Sequence, residues 1–412
     1  MFWIIAWRNI LAKKRRSVLT VLLSALCTVF LVFVLSFMDG QHLKMIKDAV
    51  EIFTGYIQVT GKGYQDDPDY DHLVFDLDKV KKTISGFPEI ESASTRFQTF
   101  ALFAGEEASV GGSLIGIDPV QEKKVSRIGS AVTGGDYLRG GDGRKCIVGK
   151  KLAERLDLRI GDELTYLSQS VDMSIAADIL KISGIFSTGS QMDSNTVFVD
   201  KEYMDGMFQT ENIASHYILL PSEKFRGGRL AGLVKRIDNK LAGTGAEAVS
   251  WKVPLKSLLQ LLDVDSAFGY FSYGIVVVVT FFVIMIFFLI NVFQMTREIG
   301  IMRAVGTAPA QILKIFVTES FILGLIAVTI GGVIGGFIVH YYNTNPITFD
   351  VSKEILEQYQ KWGVVDMSFP TVFSYLSIFY ICLFVFLLNI VAVLYPVFTV
   401  NRYKPIDAIH YV

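Results

Sequence analysis

The sequence is short of charged residues and of cysteine. Only 19% of its 412 residues are charged and 51% are hydrophobic, whereas a soluble globular chain usually carries about 25% charged residues. Of the 3 cysteines, only Cys146 lies between residues 39 and 265. This long segment therefore cannot form a disulfide within itself and needs a hydrophobic core. The net charge is −1 and no basic patch with interleaved aromatic residues is present, so nucleic acid is not an expected partner.

The sequence also lacks the short motifs of ATP binding and hydrolysis. It contains no GxxxxGK[ST], HExxH, CxxC or GxSxG pattern, and its 5 histidines are scattered. A hydrolase would need a nucleophile with its base, and a P-loop protein would need the phosphate-binding glycines and lysine. We therefore predict that the chain is not an enzyme, with no catalytic residues, no metal site and no cofactor of its own.

Four long apolar runs dominate what the sequence does contain. Each exceeds the roughly 20 residues that cross a hydrocarbon core, and a backbone in lipid satisfies its own hydrogen bonds best as a helix. The first run is too long for a signal peptide and has no clean cleavage site, so it predicts an uncleaved anchor. The predicted transmembrane helices are 17–38, 266–293, 314–342 and 367–397.

Basic residues next to these runs predict the orientation. They cluster in 1–16, in 294–313 and in 398–412, and basic residues flanking spans favour the cytoplasmic side. Both termini are then cytoplasmic, and 39–265 and the short loop 343–366 lie outside. The expected fold is an α-helical membrane protein with four transmembrane helices and a large α+β extracytoplasmic domain inserted between helices 1 and 2. Segment 1–16 is predicted to be an amphipathic helix on the inner membrane face or an extension of the first span.

The outer segment shows mixed α and β patterns. Strand-like stretches are rich in β-branched or aromatic residues and bounded by glycine, and one stretch has apolar residues at helical spacing. We expect strands in 54–61, 94–105, 109–118 and 246–254, a helix, turn and strand in 148–167, two strands joined by a polar loop in 179–200, and a helix in 229–243.

An acidic cluster imitates the spacing of a calcium loop. Asp67, Asp69, Asp71 and Asp78 stand at EF-hand positions, but His72 occupies the position of the sharp-turn glycine and the last carboxylate is not a glutamate. A solvated acidic loop is the favoured interpretation.

Two features of the third span concern its packing and its one carboxylate. Ala327, Gly331 and Gly335 recur at four-residue spacing, and small residues let helices approach closely in lipid. We favour packing within one subunit over a seam between subunits. Glu319 lies five residues after Lys314, so we expect it to stay hydrated near the interface and to have a structural role rather than to relay protons.

The connector between the second and third spans is charged and helical in pattern. Arg297, Glu298 and Arg303 alternate with the small residues Gly300, Ala304 and Gly306, and Pro309 suits the first turn of the next helix. Such a segment could be a stiff projection that receives force from a motor, or a loop helix with solvated charges. Composition does not separate these two interpretations.

Several stretches resemble the FtsX-like permeases of ABC transporters. "REIGIMRAVG" (297–306), followed by "FVTES" (316–320) and the glycine ladder, is similar to the connector and third span of that family. "AWRNILAKKRRSVLT" (6–20) resembles its first span, and "YPVFTVNRYKPIDAIHYV" (395–412) its C-terminal signature, except for His410, where arginine is common. "TGYIQV" (54–59) and "GIFSTGSQMDSNTVFVD" (184–200) resemble the lipoprotein-releasing branch.

The resemblance implies partners, a location and a function. The chain would be a permease subunit in a bacterial inner membrane, paired with a second permease subunit in a homo- or heterodimer and with two copies of an ATPase subunit that binds ATP and Mg. It would extract lipoproteins from the outer leaflet of the inner membrane for transfer to the outer membrane, with membrane lipid and a periplasmic carrier as further partners. The alternatives are a mechanotransmission permease that exports small molecules or peptides, and an FtsX-like regulator of a cell-wall hydrolase.

The resemblance also implies site residues. Apolar residues near the outer ends of the first two spans would contact acyl chains, although such aromatics equally suit interfacial anchors or core; they are Phe37, Met38, Phe268 and Phe271. The connector would dock on the ATPase through Arg297, Glu298, Gly300, Met302, Arg303, Ala304 and Gly306.

Overall fold

The computed structural model describes residues 2–105, 108–349, 351, 355 and 367–401. The chain divides into two compact units, which we call the membrane unit and the head. The membrane unit comprises the residues up to Lys44, Asp263–Phe349 and the residues from Ser368 onwards, and the head comprises Met45–Leu262 with the described residues among 350–367. Most of the predicted loop 343–366 and the tail from 402 to the end lie outside the described residues.

The helices of the described residues are numbered in chain order. They are α1 (Phe2–Ala12), α2 (Lys14–Ala49), α3 (Leu77–Ile84), α4 (Pro119–Val125), α5 (Lys150–Arg155), α6 (Lys201–Phe208), α7 (Leu230–Leu241), α8 (Lys256–Gln294), α9 (Thr296–Ala304), α10 (Pro309–Thr344) and α11 (Tyr375–Asn401). Among the described residues, four stretches are long and apolar enough to cross a membrane: Lys14–Thr54, Lys256–Gln294, Pro309–Thr344 and Tyr375–Phe398.

The strands are numbered in the same way. They are β1 (Ile57–Gly61), β2 (Ile90–Ala104), β3 (Ser109–Ile117), β4 (Val132–Gly135), β5 (Lys145–Gly149), β6 (Glu163–Gln169), β7 (Ile175–Phe186), β8 (Thr196–Asp200), β9 (His216–Pro221), β10 (Ala246–Ser250), β11 (Ile347–Thr348) and β12 (Ser368–Phe369).

Two spans are longer as helices than their apolar runs. Helix α2 continues past residue 38 to Ala49 and ends in a π-helical turn, Val50–Thr54, while α8 begins at Lys256 instead of 266. The apolar run records only the part that suits lipid, whereas good helix formers such as Leu43, Lys44 and Met45 extend the helix beyond it.

The fourth span begins later than its apolar run. Residues 368–369 form β12, which pairs antiparallel with β11, and α11 starts at Tyr375 rather than 367. Pro370 follows the strand directly, and the residue before a proline is driven towards extended backbone.

The described head strands form one ten-stranded sheet in two parts. Strands β2, β3, β8, β5, β7 and β6 are hydrogen-bonded in a closed ring, since β6 pairs with both β7 and β2. From β2 the sheet continues through β9 and β1 to the edge strand β10, and β4 pairs with β7 as the tenth strand. The 15-residue strand β2 belongs to both parts, because its first half pairs with β9 and its second half with β6.

Separate hydrophobic clusters fill these two parts. One cluster includes Phe97, Phe103, Leu164 and Tyr166, and it belongs to the ring of strands. The other packs β1, β9 and β10 against α3 and α7, whose apolar faces have the spacing of amphipathic helices. The predicted strands and the predicted helix 229–243 are confirmed, with shifts of a few residues at their ends.

The polar loop between β7 and β8 is fixed by one buried carboxylate. Asp193 accepts hydrogen bonds from the backbone N–H of Thr188 and Gly189 at 2.8 and 3.0 Å, and from the hydroxyls of Thr188 and Ser187 at 2.7 and 3.0 Å. A carboxylate buried in this way is stabilised by the donors around it. The loop is therefore a defined turn despite its polar sequence.

A buried ion pair holds the end of α2 to the sheet inside the head. The Arg96 guanidinium donates to both carboxylate oxygens of Glu122, at 2.6 and 3.1 Å, and to the carbonyl of Phe53 at 2.6 Å. It also lies 3.8 Å from the centre of the Phe53 ring. Ser94 donates a further bond to Glu122 at 2.7 Å.

A second contact at this place involves Arg127. Its side chain pairs with Asp48 at 3.1 Å, and its backbone N–H donates to the Glu51 carbonyl at 3.0 Å. The turn that ends α2 is thus bound to the rest of the head by polar contacts on two sides.

Candidate functional site

The connector is a short helix set between two tight corners. Helix α9 begins one residue after α8 ends at Gln294, with Met295 between them. After α9 the chain turns at Gly306, whose φ of 99° is one that side chains rarely adopt. Pro309 is the first residue of α10, and the Gln311 side chain accepts a hydrogen bond from the Ala308 N–H at 3.1 Å. The predicted helix in the connector and the position of Pro309 are confirmed.

The two faces of α9 differ in exposure. Thr296, Ile299 and Gly300 are buried, together with Met295, and pack with the ends of α8 and α10. Met302 and Arg303 are half-buried. The exposed face carries Arg297, Glu298, Ile301, Ala304, Val305 and Gly306. We call these six residues the connector face.

The connector face combines charge with an apolar end. Val305 is 83% exposed and Ile301 is also exposed, although both are large aliphatic residues. Exposed apolar residues beside charged ones, on a rigid support, are typical of protein interaction surfaces. Among the predicted site residues, Gly300 lies on the opposite side of the helix, where it allows close packing and offers no outward contact.

Two ion pairs connect the start of α2 to the connector and to α10. Lys13, between α1 and α2, pairs with Glu298 at 2.5 Å. Arg16 pairs with Glu319 of α10, and its other terminal nitrogen lies 2.6 Å from the Met295 sulfur. Sequence reasoning missed both pairs, because the partners are hundreds of residues apart and no spacing rule links them.

The structure corrects one expectation about Glu319. This residue is only 2% exposed, so the prediction that it stays hydrated is wrong. Its carboxylate pairs with the Arg16 guanidinium. The predicted structural role agrees with this contact.

The predicted substrate residues, at the end of the first two spans that is next to the head in the sequence, fall into two groups. Met38 of α2 packs against α8, since its sulfur occupies the space that a Cβ on Gly269 would need. Phe37 is half-buried and contacts the rings of Phe33 and Phe369. In contrast, Phe268 and Phe271 are exposed, Phe271 by 69%. Two of the four are therefore packing residues in this structure and two face outwards.

A polar cluster crosses between α2 and α8 beside these residues. His42 Nε2 lies 2.7 Å from an Asp265 carboxylate oxygen, and its Nδ1 lies 3.4 Å from the Ser266 hydroxyl. The cluster and the Met38–Gly269 contact hold the two helices together at this end.

The glycine ladder of α10 lies against α2 of the same chain. A Cβ on Gly331 would stand 2.6 Å from Thr28 Cβ and 2.7 Å from the Ala25 carbonyl oxygen. Gly335 faces Val29 and Val32 at 3.3 Å, and Ala327 is fully buried. These small residues allow the two helices to approach closely.

The acidic cluster of the head is part of a local turn. Asp69 accepts hydrogen bonds from the backbone N–H groups of Asp71 and His72, both at 3.1 Å, and its carboxylate pairs with the His72 ring at 2.6 Å. Asp78 lies in the first turn of α3. In the described part of the chain, no three His, Cys, Asp or Glu side chains are grouped as metal ligands.

The outer surface of the ring of strands carries an apolar patch. Neighbouring strands β2, β6 and β7 each contribute exposed residues to it; Phe100 is 70% exposed, and Leu102 is paired in register with Leu167. We define the head patch as Phe100, Leu102, Leu167, Ile175 and Ile179. Single exposed apolar residues are normal, but a contiguous group indicates an interaction surface.

Four candidate spans, an α+β head and a helical connector define a polytopic membrane protein. Two family models match the chain: the MacB-like periplasmic core domain over residues 17–224, and the FtsX-like permease C-terminal region over residues 270–405. The chain therefore belongs to the FtsX-like permeases with a MacB-like periplasmic core domain.

Curated relatives match along nearly the whole chain. The lipoprotein-releasing system transmembrane protein LolC of Xylella fastidiosa (strain Temecula1) is 24% identical over 429 residues, which cover 99% of this chain and 98% of the relative. LolC of Neisseria meningitidis serogroup B is 21% identical over 440 residues, with 100% of both chains covered.

Solved structures of extracytoplasmic domains are similar to part of the chain. The periplasmic region of MacB from Actinobacillus actinomycetemcomitans matches with a TM-score of 0.38 and 11% identity, over 52% of this chain and 97% of that one.

Proposed function

We propose that this chain is the permease subunit of an inner-membrane ABC transporter that releases lipoproteins. The full-length similarity to proteins named as lipoprotein-releasing transmembrane proteins is the observation that carries the proposal. A separate ATPase, in two copies with ATP and Mg, hydrolyses ATP in the cytoplasm. A second permease subunit, identical or related, completes the complex, and both termini lie on the ATPase side.

The connector face is the proposed ATPase contact. Its charged residues Arg297 and Glu298 supply specificity, and the exposed Val305 and Ile301 supply apolar area. Buried apolar anchors inside a polar rim are the usual source of affinity at such contacts. Arg303 is half-buried and is not part of the connector face.

The acyl chains of the substrate are proposed to contact α8 through Phe268 and Phe271. Both are exposed at the end of α8 that carries the His42–Asp265 cluster. A lipoprotein leaving the outer leaflet needs an apolar surface at this level, and outward-facing aromatic rings supply it. Met38 would join them only after its contact with Gly269 opens.

The head patch is the proposed docking surface for the periplasmic carrier. A carrier that accepts acyl chains must come close to the head without water between apolar surfaces, and the head patch is a contiguous apolar area on a rigid sheet. The variant Leu167→Asp should then prevent transfer to the carrier while ATP hydrolysis continues. The same change at Val120, an exposed residue of α4, is the matched control.

The decisive test is reconstitution. The permease with its ATPase and partner is placed in liposomes that hold an acylated reporter protein, and release to an acceptor is followed on adding ATP. We expect release that requires the acyl chains, and crosslinking of a photoreactive residue at 271 to those chains. A photoreactive residue at Phe337, which is equally exposed on α10, should not crosslink. ATP hydrolysis without release, or export of a soluble compound instead, would rule the proposal out.

A further inference from the structure

The corner between α1 and α2 is bound to α10 by more than one kind of contact. Helix α1 packs on α10 through Ala6 and Ile10, which form a cluster with Ile322 and Leu323. The Trp3 and Phe321 rings meet edge to face at 5.8 Å. These apolar contacts hold the corner next to the start of α10, where the chain leaves the connector.

The Arg16–Glu319 pair lies inside this packed region. The Arg16 and Glu319 side chains are 13% and 3% exposed, and one further polar atom of each, Arg16 Nε and Glu319 Oε2, is buried without a hydrogen-bond partner. A buried ion pair contributes little net stability, because desolvation offsets most of the attraction. A pair that is also incompletely satisfied is a poor stabilising element.

The contacts of Arg16 and Glu319 show which parts of the molecule the pair connects. Arg16 lies on α2, Glu319 lies on α10, and the second terminal nitrogen of Arg16 contacts Met295 at the α8–α9 corner. Lys13 then reaches Glu298 on α9 itself. Arg16 thus connects α2 to α10 and to the corner between α8 and α9. In some proteins a buried polar pair fixes one arrangement of the packed elements.

We propose that Arg16 and Glu319 form a positioning pair that fixes the connector to the first span, so that force applied at the connector moves α2 together with α8. This inference rests on the proposed function, because it takes the connector face as the point where the ATPase acts. It adds a second route, since the connector is joined covalently to α8 and α10 but not to α2. Helix α2 continues without a break to Ala49 and ends in the turn that Arg96 and Arg127 bind within the head.

The first measurement tests how tightly ATP hydrolysis is coupled to lipoprotein release. Glu319→Gln keeps the shape of the side chain and removes its charge, and we expect the amount of lipoprotein released per ATP hydrolysed to fall about five-fold or more, the lower end of typical coupling energies. ATPase binding should stay unchanged, because Glu319 is buried away from the connector face. Ser320→Ala is the matched control: it removes a buried hydrogen bond from the same helix to the Asn389 carbonyl and leaves the connector contacts intact.

The second measurement determines the distance between α2 and the connector in the assembled complex. Spin labels replace Leu22 on α2 and Val305 after α9, both exposed, in a chain whose cysteines are changed to alanine. We expect one narrow distance distribution in the wild-type background, with and without ATP analogue, and a broad one in Glu319→Gln. Exchanging the charges, Arg16→Glu with Glu319→Arg, should restore the narrow distribution that each single change loses.

The outcomes separate the two proposals. A narrow distribution in Glu319→Gln, or a coupling loss equal to that of Ser320→Ala, would overturn the positioning role. Absence of lipoprotein release by the wild-type complex would instead count against the proposed function, and the distance measurement would still decide the role of the pair.

Discussion

At the scale of single residues, Glu122 shows how the head tolerates a buried charge. Burial would by itself raise the pKa of this carboxyl, but the Arg96 charge and the hydrogen bonds from Arg96 and Ser94 outweigh it, so the pKa lies below the usual value. Removing one member of a buried pair is far more costly than removing both, because it leaves an uncompensated charge.

Replacing Glu122 with alanine should destabilise the head strongly. We expect a loss of about 3–5 kcal/mol, since Arg96 would stay buried without its counterion. The reporter is the thiol of Cys146, which is fully buried and becomes reactive when the head unfolds in urea, with Cys27 and Cys382 changed to alanine in the full chain. The half-exposed pair Glu89–Arg236 supplies the control, and Glu89→Ala should destabilise the head much less than Glu122→Ala. Equal losses of stability in the two variants would show that burial of the Arg96–Glu122 pair does not make the removal of its carboxylate more costly.

The same carboxyl predicts a pH dependence. Its pKa is lower in the folded state than the usual 4.5, so the unfolded chain takes up a proton first as the pH falls. The stabilisation from Glu122 is then complete above pH 4.5 and is lost progressively below it. The difference in free energy of unfolding between the wild-type chain and Glu122→Gln should be constant from about pH 7 to about pH 5 and shrink at lower pH. It is measured by urea unfolding, with a disulfide reagent that reacts with thiols in acid. A difference that grows on acidification would contradict this assignment.

At the scale of elements, α10 has two glycine faces with different surroundings. Gly331 is pressed against α2, whereas a Cβ on Gly336 would meet its nearest atoms, in Ile378 and Phe373, at 3.7 and 3.8 Å, an ordinary contact distance. The same substitution should therefore have opposite consequences on neighbouring turns of one helix.

Gly331→Ala should loosen the packing of α2 on α10. We expect a loss of about 1–3 kcal/mol from overpacking, seen as a lower midpoint of thermal unfolding of the full chain in detergent. Gly336→Ala should leave the midpoint unchanged or raise it. If the two variants unfold at the same temperature, the close approach of Gly331 to Thr28 does not describe the packed state.

At the scale of the whole molecule, the proposed function requires the head and the connector face to be on opposite sides of the bilayer. Each span that crosses the bilayer carries the chain to the opposite face, so successive connecting segments lie on alternate faces. Basic residues near α1 and α9 favour the cytoplasmic face for these two segments. Force from an ATPase can then reach a periplasmic partner only through the spans.

Thiol labelling in intact cells tests this topology. Gly140 lies in an open turn of the head, where a Cβ would have no atom within 4 Å, so Gly140→Cys should react with an impermeant maleimide in cells with a permeabilised outer membrane. Val305→Cys should react only after the inner membrane is opened as well. The native cysteines are replaced in both variants, and the reverse pattern would refute the proposed topology.

Composition and residue spacing were sufficient to predict four apolar spans, although not the exact ends of their helices, together with most head strands and the connector helix. These features depend on residues that are close in the sequence. An apolar run of sufficient length suits lipid wherever the rest of the chain goes, and the spacing of apolar residues distinguishes a strand from a helix. Contacts between distant parts of the chain, in contrast, were needed to show that Glu319 is buried and bound to Arg16, that Gly300 faces inwards, that Met38 packs on Gly269, and that exposed residues of β2, β6 and β7 form one patch. Each of these depends on which distant residues meet, and the charge or hydropathy of a residue does not specify its partner.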